Sequence, residues 1–255
     1  TSGKNGASFI SIPQDVIESP VTSNAIDLCE QPQLGVPNLE DIQDVIKAIK
    51  HAKFPVLLVG MRSSSEKETE AIRKLVAKSN LPVVETFQGA GVLNRELENH
   101  FFGRVGLFRN QVGDELLRKA DLVVAIGYDP IEYEASNWNK ELDTEIIAID
   151  EVQAEITNFL RPKKELIGNI AGTIQLLSEN VHEPIINQNR LDDLERLRAE
   201  VIEATGIKYT HEDGVMHPLE IIETMQKTLT DDTTVTVDVG SHYIWMARKF
   251  RSYNP

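Results

Sequence analysis

Short apolar runs alternate with amphipathic helical patterns between residues 34 and 180, and this alternation restricts the possible folds more than any other feature. Buried strands are predicted for the runs FPVLLVG, LPVVETF, DLVVAIGYD, EIIAIDE and KELIGN. Helices are predicted for NLEDIQDVIKAIKHAK, SSSEKETEAIRKLVAKSN, GDELLRKA, EVQAEITNFL and IAGTIQLLSEN. Because strands that alternate with helices need crossover connections, their sheet must be parallel. The sequence therefore predicts an α/β fold with a doubly wound parallel sheet of about six strands, flanked by helices.

Two segments outside this block predict strands that have no local partner. Residues 8–12 form a short apolar run, and residues 233–239 alternate Val235, Val237 and Val239 with smaller polar side chains. Gly240 then predicts a turn into a helix, an arrangement that often opens a phosphate- or nucleotide-binding unit. Two further helices, RLDDLERLRAEVIEA and HPLEIIETMQKTL, are predicted ahead of this segment. Since neither flanking strand has a unit to join, we expect the chain to be a segment of a longer protein.

The charge and the cysteine content narrow the function classes. The 255 residues include 26 basic and 40 acidic side chains, which gives a net charge of −14, and this excess of acid disfavours nucleic acid and anionic membranes as partners. Each apolar run is shorter than the roughly 20 residues that a membrane-spanning helix needs. The single cysteine, Cys29, cannot form an internal disulfide, which suits a reducing compartment. We therefore expect a cytoplasmic protein without nucleic-acid or membrane partners.

Three loops that follow predicted strands contain possible ligand contacts. GMRSSSE could bind an anion at a helix N-terminus with the help of Arg62, or it could be a capped helix start with a surface arginine. QGAGVL, residues 88–93, contains a G-x-G pair but lacks the full glycine pattern of dinucleotide sites. Asp150, at the end of EIIAID, could contact a ribose or cap the helix predicted after it.

The loop GYDPIEYEASNWN, residues 127–139, is the most unusual stretch. It combines aromatic and acidic side chains: Tyr128, Asp129, Glu132, Tyr133, Glu134 and Trp138. At the carboxyl edge of a parallel sheet such a loop could line a ligand site, or it could form an interface with a neighbouring domain. Its acidic residues make it a poor cradle for a phosphate-bearing dinucleotide.

The histidines do not form a metal site. They are His51, His100, His182, His211, His217 and His242, and no two of them have metal-ligand spacing. The sequence also contains no P-loop and no Ser-His-Asp arrangement. Only His242, beside Gly240 after a predicted strand, lies at a suggestive position. We therefore predict no metal ligands and no catalytic residue within these 255 residues.

Taken together, these stretches resemble the thiamine-diphosphate-dependent enzymes, and most closely the catabolic acetolactate synthases. The resemblance covers essentially the whole chain and rests on ASFISIPQDV, FPVLLVG, LPVVETFQGAGVL, FFGRVGLFRNQVGDELLRKADLVVAIGYDPIEYEASNWN, IAID and TVDVGSHYIWMARKF. It implies five parts. They are the end of a pyrimidine-binding domain (residues 1–20), a linker (21–37), the central domain (38–180), a linker with a helix (181–216) and the start of a diphosphate-binding domain (217–255).

The resemblance implies an activity for the parent protein and none for the isolated chain. The family's acetolactate synthases condense two pyruvate molecules to 2-acetolactate with release of carbon dioxide, using thiamine diphosphate and Mg²⁺, and assemble as homotetramers built from dimers. The glutamate that activates the cofactor would precede Thr1, and the Gly-Asp-Gly metal motif would follow Pro255. We therefore expect an inactive segment in which the central domain acts as scaffold and interface.

What remains of the cofactor site in this resemblance is the turn Val239, Gly240, Ser241 and His242. Related synthases carry Gly-Gln-His-Gln there, so Gly240 and His242 match whereas Ser241 and Tyr243 depart. The alternative is that His242 only caps the helix.

FAD is not expected, because GMRSS and GYDPIEYE stand where the FAD-binding members have a glycine-rich loop and an arginine. Alternatives for the whole chain are another thiamine-diphosphate enzyme, such as pyruvate oxidase or glyoxylate carboligase, and a non-catalytic nucleotide-binding module.

Overall fold

A computed structural model describes residues 7–24, 33–106, 111–205 and 214–255. Cys29 and His211 lie outside the described residues. Six strands form one sheet in which every neighbouring pair is parallel. In chain order they are β1 Pro55–Val59, β2 Val83–Thr86, β3 Phe101–Val105, β4 Leu122–Ile126, β5 Glu145–Asp150 and β6 Lys164–Ile167. The predicted fold class is confirmed.

The strand order β3-β2-β1-β4-β5-β6 reverses direction between β1 and β4. Right-handed crossovers that run in opposite directions along a sheet place their helices on opposite faces. The helix between β1 and β2 and the helix between β3 and β4 therefore cover the two faces. Strands β1 and β4, at the centre, are buried along their whole length, which explains why their sequences are continuously apolar.

Eight α-helices occur in the described residues, and most of them begin where the sequence predicts. They are α1 Gln14–Ile17, α2 Leu39–His51, α3 Glu66–Ser79, α4 Val112–Lys119, α5 Ile170–Asn180, α6 Gln188–Thr205, α7 Pro218–Thr228 and α8 Ser241–Lys249. Asn38 caps α2 by accepting a hydrogen bond from the Asp41 backbone amide at 2.9 Å, and Asn169 caps α5 in the same way. Pro218 occupies the first turn of α7. Helix α3 packs along α5.

Three predicted elements are wrong. Residues 8–12 and 233–239 do not form strands: Phe9 is 92% exposed and Val239 is 87% exposed. A strand requires a hydrogen-bonded neighbour, and within the described ranges neither segment finds one. The helix expected from EVQAEITNFL is also absent between residues 151 and 160. There the Thr157 hydroxyl accepts hydrogen bonds from the amides of Phe159 and Leu160 and holds a local turn instead.

Strand β3 was not identified individually, because Gly103 and Arg104 interrupt its apolar pattern.

Among the helices that the structure describes, none is both long and apolar enough to cross a bilayer.

Candidate functional site

The carboxyl ends of β1 and β4 flank the point where the strand order reverses. Ligands of open α/β sheets bind in the crevice at such a point. The loops that follow β1, β2 and β4 and the residue that ends β5 meet there through side-chain hydrogen bonds. The structure therefore brings Arg62, Glu132, Asp129 and Asp150 together, which the sequence had indicated only loop by loop.

Arg62 is held by two carboxylates in this crevice. Its Nε and Nη2 donate to the two carboxylate oxygens of Asp150 at 2.8 and 2.7 Å, and its Nη1 donates to Asp129 Oδ2 at 2.8 Å. The Asp129 side chain is 2% exposed and that of Asp150 is 8% exposed. Burial opposes the positive charge, but the hydrogen bonds that Arg62 donates to Asp150 and Asp129, together with their negative charges, outweigh it and raise the pKa of Arg62. Arg62 is thus neither a surface arginine nor a free anion-binding group.

Glu132 occupies the neighbouring position over the ends of β1 and β2. Its Oε2 accepts a hydrogen bond from the Met61 amide at 2.9 Å, and its Oε1 accepts from Thr86 Oγ1 at 2.7 Å and from the Gln88 amide at 3.3 Å. Backbone amides after β-strands are the donors that phosphates use in nucleotide-binding folds. Here a carboxylate of the same chain takes that place. The crevice therefore contains one arginine and three carboxylates.

The G-x-G loop after β2 is also occupied by the chain itself. A Cβ atom placed on Gly91, whose φ is +90°, would lie 2.1 Å from the carbonyl oxygen of Asn254. Arg73 donates to the carbonyl oxygens of Gly91, Val92 and Tyr253 at 2.7–2.9 Å. The close approach that Gly91 permits is to residues 250–255, the C-terminal segment, whereas Gly89 lies against the Val59 carbonyl oxygen. Asp150, for its part, pairs with Arg62, and no helix follows it for it to cap.

The aromatic residues of the loop 127–139 point into the core. Tyr128, Tyr133 and Trp138 are 6%, 5% and 2% exposed. The Tyr128 hydroxyl donates to the Tyr133 carbonyl oxygen, and the Tyr133 hydroxyl donates to Asp114 Oδ1. Burial raises the pKa of both Tyr128 and Asp114. These side chains fix the loop that carries Asp129 and Glu132, so their role is structural support of the crevice.

The turn Val239, Gly240, Ser241 and His242 lies at the start of α8, and apart from its glycine its residues are exposed side chains at the surface. The N-cap residue of this helix is Gly240, which has no side chain to serve as a cap, and His242 is the second residue of the helix. Whether His242 contacts the cofactor or only caps the helix stays a prediction. A Cβ on Gly240 would lie 2.7 Å from His242 Cε1, because the imidazole folds back over the glycine. The N-cap of α8 thus supplies no side-chain acceptor to the backbone amides of the first turn.

A buried ionic cluster that the sequence did not reveal joins the sheet to the C-terminal segment. Glu85 of β2 is fully buried, and its Oε2 lies 3.3 Å from Arg251 Nη1 and 3.8 Å from Arg104 Nη2. Arg251 also pairs with Glu98 at 3.0 Å and stacks on the Phe101 ring at 3.5 Å. Burial raises the pKa of Glu85 although both arginines oppose the shift. The sequence signal that could have indicated this cluster is the presence of a charged residue within each of two predominantly apolar strands, Glu85 in β2 and Arg104 in β3.

Metal ligands are not clustered in the part of the chain that the structure describes: no group of three or more His, Cys, Asp or Glu side chains could hold an ion.

Comparisons with known proteins give consistent results. Residues 42–177 match the family described as thiamine pyrophosphate enzyme, central domain. The chain is 42% identical over its whole length to an acetolactate synthase of Bacillus subtilis (strain 168), and covers 45% of that protein. It is 36% identical over 98% of its length to a catabolic acetolactate synthase of Raoultella terrigena, again covering 45%. It is 30% identical over 69% of its length to human 2-hydroxyacyl-CoA lyase 1, and covers 30% of that protein. The chain thus spans somewhat less than half of the acetolactate synthases that it matches.

Proposed function

Because this chain belongs to the thiamine pyrophosphate enzymes, whose central domain it contains, we propose that it is part of an acetolactate synthase. The observation that carries this proposal is the extent of the similarity. Identity of 42% and 36% to two acetolactate synthases extends over essentially the whole chain, beyond the central domain at both ends. The parent protein would condense two pyruvate molecules to 2-acetolactate and carbon dioxide.

The division of the chain that we propose is the one that the family resemblance implies. Residues 1–20 would close a pyrimidine-binding domain, residues 21–37 would be a linker, and residues 38–180 would be the central domain. Residues 181–216 would form a linker with helix α6, and residues 217–255 would open a diphosphate-binding domain. The full-length parent would be a cytoplasmic homo-oligomer, a dimer or a tetramer, as the family resemblance implies.

The turn at the start of α8 fits the diphosphate end of the cofactor. A helix N-terminus carries partial positive charge, and the uncapped amides there can donate to phosphate oxygens. We assign Val239, Gly240, Ser241 and His242 to this contact, with His242 on the exposed side of the turn. Thiamine diphosphate, when bound, supplies the carbon nucleophile and the electron sink that the decarboxylation of pyruvate needs.

Mg²⁺ would require oxygen ligands from other parts of the parent, because residues 239–242 offer no carboxylate. The glutamate that activates the cofactor would likewise come from elsewhere. On this proposal the isolated chain is inactive, and its central domain serves as scaffold and interface.

We propose that the central domain does not bind FAD, and the occupied crevice supports this. Arg62 already contacts two carboxylates, and Glu132 already accepts the hydrogen bonds of the Met61 and Gln88 amides. A dinucleotide would have to displace three carboxylates that repel its phosphates. The same argument disfavours a nucleotide-binding module.

The deciding experiment uses the full-length protein, purified and supplied with thiamine diphosphate and Mg²⁺. With pyruvate as substrate, acetolactate formation is measured by acid conversion to acetoin, and an absorption spectrum is recorded before and after incubation with FAD and desalting. We expect acetolactate and a colourless protein. A retained flavin band with oxidation of pyruvate would identify a pyruvate oxidase, and condensation of glyoxylate in preference to pyruvate would identify a glyoxylate carboligase.

The chain of 255 residues serves as the matched control. It should produce no acetolactate under the same conditions. Turnover by this chain alone would contradict the proposed division of the catalytic site.

A further inference from the structure

A cavity of about 400 Å³ opens where three parts of the chain meet. One wall is the edge strand β3, the second is helix α6, and the third is the end of α8 with the residues that follow it. The volume lies at the lower end of the range for small-molecule sites. The cavity is thus large enough for a compact organic molecule.

The charge of this cavity is opposite to that of the chain. The chain carries a net charge of −14, yet five cationic side chains and one carboxylate, Glu98, line the cavity. The cations are Arg104, Arg198, Arg248, Lys249 and Arg251. The buried Glu85 lies behind Arg104 and Arg251 and offsets part of this charge. A concave surface with an excess of one charge concentrates ions of the other sign.

Arg104 is the buried member of this group. Its side chain is 9% exposed, and its Nη1 donates to the carbonyl oxygens of Ala247 and Phe250 at 3.2 and 3.4 Å. Its Nε and Nη2 have no hydrogen-bond acceptor among the residues that the structure describes. Burial lowers the pKa of the Arg104 guanidinium although Glu85 is near. A nearby anion would offset this incompletely compensated charge in a region of low dielectric.

The walls formed by β3 and by the end of α8 also carry aromatic rings, two of which lie against arginines. Phe101, Phe102 and Phe250 line the cavity. The guanidinium of Arg251 lies 3.5 Å from the Phe101 ring centre, and that of Arg198 lies 5.4 Å from the Phe102 ring centre. Stacking of this kind restrains an arginine, so less entropy is lost when an anion binds.

We propose that this cavity binds a small organic anion whose carboxylate or phosphate head faces the arginines and whose flat apolar body lies against the phenylalanines. Both heads offer two or more oxygen acceptors, which suit the planar donor geometry of arginine. The partly exposed rings of Phe101 and Phe250 favour a ligand with an apolar body over a bare inorganic ion.

The test uses isothermal titration calorimetry of the chain with three aromatic compounds of similar shape. Benzoate and phenyl phosphate carry the two alternative heads, and benzamide is the neutral counterpart of benzoate. We expect the better anion to bind with a Kd of about 1 mM or less and at least about tenfold more tightly than benzamide. Which anion binds more tightly identifies the head that the site prefers. Equal affinity for benzoate and benzamide, or no heat with either anion, overturns the proposal.

A pair of charge-matched variants tests the location. Arg248 and Lys249 are exposed, so the double variant Arg248→Gln/Lys249→Gln preserves the fold. It should weaken the binding of the preferred anion by about tenfold. The control Lys47→Gln/Lys50→Gln removes the same charge from the exposed face of α2 and should leave the binding unchanged. Equal weakening in both variants would show that the anion responds only to the net charge of the protein, and it would refute the site.

Discussion

Replacement of Arg62 by methionine would leave two buried carboxylates without the cation that they share. Asp129 and Asp150 are 2% and 8% exposed, and each lies within 2.8 Å of the Arg62 guanidinium. Removal of one partner from a buried ion pair costs roughly 3–5 kcal/mol. Since the Arg62 side chain is 20% exposed, water would enter and relieve part of this cost. We therefore expect a loss of about 3 kcal/mol in the free energy of unfolding, which corresponds to a Tm lower by roughly 6–12 °C for a chain of this size.

The pH dependence gives a second, independent signature of Arg62→Met. In the variant, a proton on either carboxylate relieves their repulsion, so the folded state binds protons more tightly than the unfolded state. The free energy of unfolding of the variant should therefore rise relative to that of the wild type as the pH falls. Urea unfolding followed by circular dichroism measures the free energy of unfolding. A comparison of about pH 7 with about pH 5, nearer to the ordinary pKa of carboxylates, gives its pH dependence.

Two variants serve as controls for Arg62→Met. Adding Asp150→Asn should restore part of the lost stability, because one of the two unpaired charges is then removed. Lys74→Met breaks an exposed ion pair with Glu70 on α3 and should leave the unfolding midpoint unchanged. The reasoning would be refuted if Arg62→Met stayed within about 0.5 kcal/mol of the wild type at neutral pH, as a surface substitution does.

Three further predictions concern the supports of the crevice. Asp114→Asn should flatten the pH dependence of stability: burial raises the folded pKa of Asp114, so its contribution is present at low pH and lost as the pH rises through that value, which urea unfolding across the acidic range detects. Gly91→Ala should expose the C-terminal segment to limited proteolysis, because its φ of +90° is strained for alanine and the new Cβ would meet Asn254 at 2.1 Å. Glu132→Ala should lower the free energy of unfolding by about 1–3 kcal/mol, because the backbone amides that it satisfies lose their acceptor.

Each of these three predictions has an outcome that would contradict it. An unchanged slope of stability against pH in Asp114→Asn would assign the pH dependence to other groups. Gly35→Ala is the control for Gly91→Ala, since a Cβ there meets no atom within 4 Å, and equal proteolysis of both variants would exclude the clash as the cause. Glu134→Ala removes an exposed carboxylate from the same loop, and a loss of stability as large as that of Glu132→Ala would contradict the role of the Glu132 hydrogen bonds.

The sheet was largely predictable because its central strands are apolar along their whole length. Burial on both faces forces this composition, so the sequence alone indicates a parallel sheet. Strand β3 escaped individual identification because Arg104 and Gly103 break the apolar pattern. Arg104 is explained by its contacts with Glu85 and with the carbonyl oxygens of Ala247 and Phe250. Gly103 is explained by the close approach of Gly113 at the start of α4.

The two incorrectly predicted strands show what a local sequence pattern cannot predict. The alternation of Val235, Val237 and Val239 is a correct local signal for an extended segment, but a strand also needs a partner. That requirement is non-local, and in the described part of the chain nothing meets it. The Thr157 turn is a similar case, because a hydroxyl competes with helical hydrogen bonds at a point that the apolar period does not register.

The sequence predicted where the crevice lies, but it did not predict which of its charged side chains pair with each other. The position of the loops after β1, β2 and β4 follows from parallel-sheet geometry. The pairing of Arg62 with Asp129 and Asp150 joins residues 67 and 88 positions apart. No local pattern specifies which carboxylate pairs with which arginine over such separations. The sequence alone therefore could not decide whether Arg62 binds an anion or is a surface residue.

The internal satisfaction of Arg62 has a consequence for how the central domain responds to its surroundings. A site that waits for a ligand makes stability depend on the ligand concentration, by RT ln(1 + [L]/Kd). A crevice whose charges are paired within one chain has no such dependence. The ion pairs of this crevice therefore contribute the same stability whatever the concentration of small molecules around the protein. Ligand-dependent stabilisation of this protein, where it occurs, must therefore arise at another site than this crevice.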